Sequence, residues 1–314
     1  MTLKRISSKD IAKKALEDYH TVHMKALSLN QKRSLKAYLY LLPALILAYV
    51  FSYRPFARTV VNSLSLVSFS GKIVEFVGLE NFQKLFSDKN FIIGLTNTFK
   101  FAILFVPLNL VFCLVAALLV YKKRRFNAFN ETLFILPMAV AMSSAALIFK
   151  ALFNPTIGVI NYFFSISIKW FDDPWWAMFT LVILGIWMAV GLDFLLLLGA
   201  LRSVPKQLIE AAQMEGANAL STFFRVQLPL ISPTILFVVI TRLRDSMLLS
   251  GPVMVLTGGG PQRSTQTLVY QMYLDGFVAG NYSRGSAIGV VVFFLTFLLI
   301  LLAFRSEKRR VFYQ

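Results

Sequence analysis

The sequence predicts an all-α integral membrane protein with six transmembrane helices and cytoplasmic N- and C-termini. Three observations carry this. Of its 314 residues, 57% are hydrophobic and 15% charged, with 30 phenylalanines, well outside the usual globular composition. Apolar runs near the roughly 20 residues that cross a hydrocarbon core as a helix recur six times. The basic residues cluster in alternate connections between those runs.

Residues 1–35 read as a cytoplasmic N-terminal tail, partly helical. They are too polar for a secretory signal, and the apolar run after them is long enough to span and lacks a small-residue cleavage site. Within the tail, "SSKDIAKKALEDYH" has helical spacing with Ser or Asp as caps, as in a helix on the membrane surface. His20 and His23, the only two histidines, fall there and fit a solvated helix better than a metal site, which needs more ligands. Residues 36–304 form the membrane domain, with spans expected at Ala37–Tyr53, Thr98–Tyr121, Leu133–Phe153, Trp175–Leu198, Leu230–Leu256 and Ser286–Phe304. Residues 305–314 are a cytoplasmic tail. No internal repeat or low-complexity region interrupts this order.

The net charge of +17 invites a nucleic-acid reading, but the placement of the charges answers it. Nine Lys or Arg precede the first span, Lys122 to Arg125 follow the second, Arg202, Lys206 and Arg225 surround Glu210, and Arg305, Lys308, Arg309 and Arg310 close the chain. The three alternate connections are much poorer in them. Membrane orientation, not nucleic acid, explains the balance, and it puts the Glu210 segment in the cytoplasm. Cys113, the single cysteine, lies inside a span, so neither a disulfide framework nor a Cys-based metal site is available.

Between the fourth and fifth spans the chain reads "LRSVPKQLIEAAQMEGANALSTFFRVQLPLISP". Pro205 suits a first helical turn, Ala211, Ala212 and Met214 favour helix, and Gly216 breaks it, so two short helices should meet near Gly216. Leu208, Ala212, Met214, Leu220 and Phe223 could face either the membrane or a partner. The motif Glu210-Ala211-Ala212, three residues, Gly216, nine residues, Val226-Gln227-Leu228-Pro229 resembles the EAA loop of permease subunits of binding-protein-dependent ABC importers. Val226 stands where that family prefers Ile, and Glu215 where its sugar permeases usually have Asp. "FVGLENFQKLF", "LTNTFKFAI", "VLTGGGPQRSTQTLVYQMY" and "YSRGSAIGVVV" are similar to the carbohydrate-uptake branch, close to maltose, glycerol-3-phosphate and multiple-sugar permeases, so the resemblance spans about Leu35–Phe304.

That resemblance implies a MetI-like type I importer transmembrane domain in which residues 202–229 are a coupling loop lodged in an ATPase subunit. Glu210 would make a polar contact to the ATPase, Gly216 would permit the turn, and Ala211, Ala212 and Met214, with Leu220, would be the packing surface. It implies as partners a second permease subunit, two ATPase subunits, an extracytoplasmic solute-binding protein and an oligosaccharide, in a bacterial inner membrane. ATP and Mg belong to the ATPases: this chain has no phosphate-binding G-x-x-x-x-G-K-[ST] loop. No catalytic residue or metal is expected. The glycines of "TGGGP" read as a tight turn, which the resemblance places near the docked binding protein.

Charges at membrane depth mark candidate function. Entering from Leu230, Arg242 lies about 18 Å deep at 1.5 Å per residue. Arg242 and Asp245 are i, i+3 neighbours, whereas Arg244 points about 200° from Arg242. One reading is an internal Arg242–Asp245 pair with Arg244 bonded to a neighbouring helix or subunit, and Asp193 as a further structural partner. The other is a cationic site for an anionic solute at Arg242 or Arg244, since Arg holds carboxylate or phosphate well. Trp187, Ser143 and Ser144 could add stacking and hydroxyl contacts, though their spacing also suits core. Lys100 and Lys150 should snorkel from the outer ends of their spans.

The expected function is therefore an ABC permease importing an oligosaccharide, acidic and uronate-containing in preference to neutral, with a neutral sugar or a sugar phosphate as alternatives. An ion-coupled secondary transporter, with Asp193, Asp245 and the arginines as coupling site, is the alternative from another class.

Overall fold

The computed structural model describes residues 38–122 and 127–310, with backbone only for 306–310. The helix expected in the N-terminal tail, with His20 and His23, and part of the basic cluster at Lys122 to Arg125 lie outside the described residues. Contacts divide the chain into two units, Met1–Arg58 and Thr59–Gln314.

Among the described residues, four helices are long and apolar enough to cross a membrane alone: α1 (Tyr38–Ser63), α3 (Lys89–Val120), α7 (Pro174–Ser203) and the Tyr282–Arg305 part of α13 (Tyr282–Arg310). In the first unit α1 carries exposed Leu41, Leu45 and Phe51, a surface suited to hydrocarbon rather than water, and a π-helical stretch at Tyr49–Tyr53. The second unit opens with the end of α1 and a hairpin of β1 (Ser65–Val67) and β2 (Ile73–Phe76), a small departure from an all-α chain. The short helix α2 (Glu80–Phe86) follows.

The third and fifth spans depart from the expected continuous helices. Instead of an unbroken Leu133–Phe153, Asn127–Ala139 meets α5 (Met142–Leu152) at a bend of 104°. The Asn127–Ile135 helix, α4, tightens into a 3-10 turn containing Pro137, and Val140 and Ala141 are extended. Proline has no N–H to give the preceding turn, so the ladder fails there. After α6 (Val159–Phe164) and α7, the elbow helices α8 (Lys206–Met214) and α9 (Ala219–Thr222) lead into Leu228–Leu230. Ala219–Leu230 then bends by 70° at Ile231 into α10 (Ser232–Met247). The expected Leu230–Leu256 run breaks again before α11 (Gly251–Leu256), whose first turn carries Pro252. Periodicity sees only apolar residues, so it joined helices that prolines separate.

Three buried clusters tie the second unit together. Phe101 and Phe105 of α3 pack with Phe149 of α5 and Leu181 and Leu184 of α7. Cys113, Ala116 and Ala117 of α3 meet Phe194, Leu197 and Leu201 of α7 with Val238 of α10, small side chains letting the helices approach. Leu85 and Phe91 join Leu268, of α12 (Leu268–Tyr273), to Ile288 and Val292.

Candidate functional site

At the heart of the bundle α7, α10 and α3 bring a chain of polar side chains together. Asp193 is fully buried in the otherwise apolar middle of α7. Arg242 Nε lies 3.1 Å from Asp193 Oδ2, and Arg242 Nη1 lies 3.0 Å from Asp245 Oδ2. Nε makes no hydrogen bond, so its contact with Asp193 is one of charge. The i, i+3 pair expected on α10 thus forms, and Asp193 is a second partner. Arg244 makes no polar contact with another helix among the described residues, though it borders an apolar cleft with Met272 of α12 and Gly289 of α13: its Nε and Nη2 donate to Asp245 Oδ1 at 3.1 and 2.7 Å. Two flexible arginine stems converge on one carboxylate although their Cα positions face apart.

Burial separates the two arginines. The Arg242 side chain is 11% exposed and that of Arg244 55%, so the first is a rivet between helices and the second is available to a ligand. Two arginines and two aspartates leave the quartet formally neutral, and its buried members Asp193 and Arg242 compensate each other. Sequence reasoning missed Asn109, which donates to Asp193 Oδ2 at 2.6 Å and accepts from the Cys113 thiol at 3.7 Å. An asparagine within the apolar α3 run was the available signal. Asp193 Oδ1 is enclosed without a hydrogen-bond partner.

Other candidates lie elsewhere. Trp187 is partly buried and packs on Phe149, ring centroids 5.6 Å apart, within the apolar core. Ser143 and Ser144 are exposed on the first turn of α5, and no hydrogen bond joins them to the quartet. Lys100 and Lys150 are exposed, the latter with Nζ 3.5 Å from the Val255 carbonyl.

The second candidate surface is the elbow. Gly216 has φ +85°, and the Gly216 and Ala217 N–H groups donate to the Gln213 and Ala212 carbonyls, closing α8 with a Schellman motif. Asn218 then caps α9, accepting from Ser221 N at 2.8 Å. Two short helices do meet at Gly216. Ile209 and Phe223 pack against the core, so Phe223 is an anchor rather than part of an open face. Glu210 and Ala211 are exposed, as are Met214 at 89% and Leu220 at 68%, while Ala212 is half-buried. An apolar tip beside a free carboxylate suits docking into a protein groove.

A third polar group was also missed. Arg284 of α13 pairs with Asp88, the N-cap of α3, and donates to Asp275 at 2.7 Å; Gln271 also donates to Asp275. Burial pushes the Asp88 carboxyl up, but the Asn90 N–H and Arg284, with Arg263 further off, hold it below the usual carboxylate value.

A bundle of spanning and bent helices with an ionic quartet built on buried Asp193 and Arg242, and with a projecting elbow, defines a multi-pass membrane transport component. Residues 109–310 match the family described as "Binding-protein-dependent transport system inner membrane component", and the chain belongs to it. It is 36% identical over 281 residues to the sn-glycerol-3-phosphate transport system permease protein of Yersinia enterocolitica, covering 88% of this chain and 95% of that one. The corresponding protein of Salmonella typhi gives the same figures. The fold is that of a bacterial alginate ABC transporter solved with an alginate pentasaccharide-bound periplasmic protein, at TM-score 0.77 and 23% identity over 88% of this chain and 96% of that one. The MetNI methionine ABC transporter in inward-facing form aligns at TM-score 0.55 and 16% identity, over 74% and 99%. The chain is a permease of the inner membrane, a transport subunit rather than an enzyme, and the resemblance carried by the Glu210 motif and its companions holds.

Proposed function

We propose that this permease imports an anionic carbohydrate, with an acidic, uronate-containing oligosaccharide as the leading solute. The observation that carries the reading is the half-exposed Arg244 guanidinium, held by a single carboxylate that Arg242 shares. A solute carboxylate can take the place of Asp245 on Arg244 while Asp245 stays on Arg242. The alginate transporter that shares the fold handles an acidic polysaccharide, which supports the same class. A sugar phosphate is the second reading, favoured by relatives named for sn-glycerol-3-phosphate. A neutral sugar leaves Arg244 without a task, and an ion-coupled transporter does not account for membership of a binding-protein-dependent family.

The chain pairs with a second permease, and spans three to six of both subunits enclose the solute path. Two ATPase subunits hold ATP and Mg, and a binding protein delivers solute on the opposite side. Arg202, Lys206 and Arg225 put the elbow in the cytoplasm, where Glu210, Ala211, Ala212, Met214, Gly216 and Leu220 engage the ATPase. ATP-driven closure then moves a rigid elbow, which carries the movement to the spans.

The test is ATP hydrolysis by the complex purified with its binding protein, given neutral and uronate-containing oligosaccharides of matched length, then sn-glycerol-3-phosphate. Stimulation by the acidic oligosaccharide that disappears in Arg244→Gln supports the first reading. Stimulation by glycerol phosphate alone selects the second, and stimulation by neutral sugar unchanged in Arg244→Gln removes both.

A further inference from the structure

A groove of about 360 Å³ opens where α3, α7 and the loop before α12 meet, lined by Lys100, Ile103, Leu104, Trp175, Met178 and Ser264 among others. Its position along the membrane follows from helix length. The 32 residues of α3 span about 48 Å, more than the roughly 30 Å hydrocarbon core. Lys122 marks one boundary just beyond the end of α3, and counting back about 20 residues from Val120 puts the other at Lys100. Trp175 sits in the first turn of α7, the side chain most favoured at that interface.

The lining is graded in the same direction. Lys100 and Trp175 stand at the boundary, whereas Ile103, Leu104 and Met178 lie one turn further along α3 and α7, toward the hydrocarbon. Lys100 has no hydrogen bond or ion pair among the described residues, and the Ser264 hydroxyl has no hydrogen-bond partner. A cation at the water edge, a tryptophan beside it and an apolar floor beneath them complement an amphiphile with a negative head.

We infer that this groove holds one anionic phospholipid, its phosphate on Lys100 Nζ beside Ser264 and its acyl chain against Ile103, Leu104 and Met178. The loop carrying Ser264 is already fastened to α3, where Asn97 Nδ2 donates to the Arg263 and Gln266 carbonyls at 2.7 and 3.1 Å. Bound lipid extends that fastening to the start of α7, independently of which solute the permease carries.

The experiment uses the whole complex in nanodiscs of phosphatidylcholine with rising phosphatidylglycerol, reading retained lipid by native mass spectrometry and the thermal midpoint. Wild type and Lys100→Arg should keep a phosphatidylglycerol and gain stability with it. Lys100→Gln should retain about fivefold less, while Lys72→Gln, on the exposed hairpin, behaves as wild type. If Lys100→Gln is poorly assembled, Lys100→Met with the same two readings replaces it. Equal retention of phosphatidylcholine, or an unchanged phosphatidylglycerol response in Lys100→Gln or its Lys100→Met replacement, overturns the assignment. So does protection of Lys100 from amine acetylation in lipid-stripped complex, which would put a partner subunit in the groove.

Discussion

Arg242 Nε lies 3.1 Å from Asp193 Oδ2, joining α10 to α7 through two side chains that are almost wholly enclosed. A buried ion pair is weak evidence of net stabilisation, but removing Arg242 strands the Asp193 charge, at a cost of about 3–5 kcal/mol, whereas removing Asp193 leaves Arg242 its second partner, Asp245, and should cost less. Arg242→Gln should therefore lower the thermal midpoint of the complex sharply, and Asp193→Asn less so. The double variant should lose less than the two single losses summed. Wild-type midpoints in both single variants would mean that the pair holds nothing together.

Arg244 predicts the opposite profile. Its side chain is 55% exposed and its one ion pair is to an adjacent residue, so Arg244→Gln should leave the midpoint within about 1 kcal/mol of wild type. The same variant should lose the ATPase response to an anionic solute. Asp245→Asn frees Arg244 of its internal competitor and should shift half-maximal stimulation to lower solute-loaded binding protein. A shift in the other direction would make Asp245 a positioning group for the solute itself.

Glu210 is exposed and makes no ion pair among the described residues, and Gly216 holds a left-handed turn at φ +85°. Glu210→Ala with Gly216→Pro should spare the spans yet uncouple ATP hydrolysis from uptake. An alanine at Gly216 would meet nothing within 4 Å, so its cost is backbone strain alone, about 1 kcal/mol, and coupling should be only partly lost. Uptake with normal ATP dependence in the double variant would end the coupling assignment.

Gly285 and Gly276 bring two backbones together. A Cβ on Gly285 would lie 2.8 Å from the Gly276 Cα and 3.1 Å from its nitrogen, whereas one on Gly276 clears Gly285 at 3.5 Å. Backbone cannot step aside as a side chain can, so Gly285→Ala should cost about 1–3 kcal/mol and Gly276→Ala distinctly less. Thermal unfolding of both variants checks the order.

Asp88 sets an acid limit. Its carboxyl titrates below its unfolded value, so its contribution is present above about pH 3.9 and fades as pH falls through the lower, folded value. Asp88→Asn should flatten the acid limb of the stability curve below about pH 4. An unchanged limb would mean that the Arg284 contact is not maintained in solution.

The Glu210 motif and the apolar runs were legible because each rests on local chemistry: a glycine where the backbone turns left-handed, and side chains that only hydrocarbon accommodates. Arg242 with Asp245 was legible for the same reason, since i, i+3 spacing on a helix fixes proximity. The Asn109 contact, 84 positions from Asp193, had no local signature. Neither did the convergence of Asp88, Asp275 and Arg284, which meet only once α13 packs on α2 and α12.

The sequence by itself determined that this chain is a helical membrane permease with an elbow that turns at Gly216, because composition, span length and motif spacing are properties of the linear chain. Tertiary structure decided that Pro137 and Pro252 divide apparent spans and that Phe223 turns inward. It also decided which arginine is enclosed: α7 and α3 close over Arg242 with Asp193 and Asn109 and leave Arg244 half open, an outcome that depends on helix packing rather than on the order of residues along one helix.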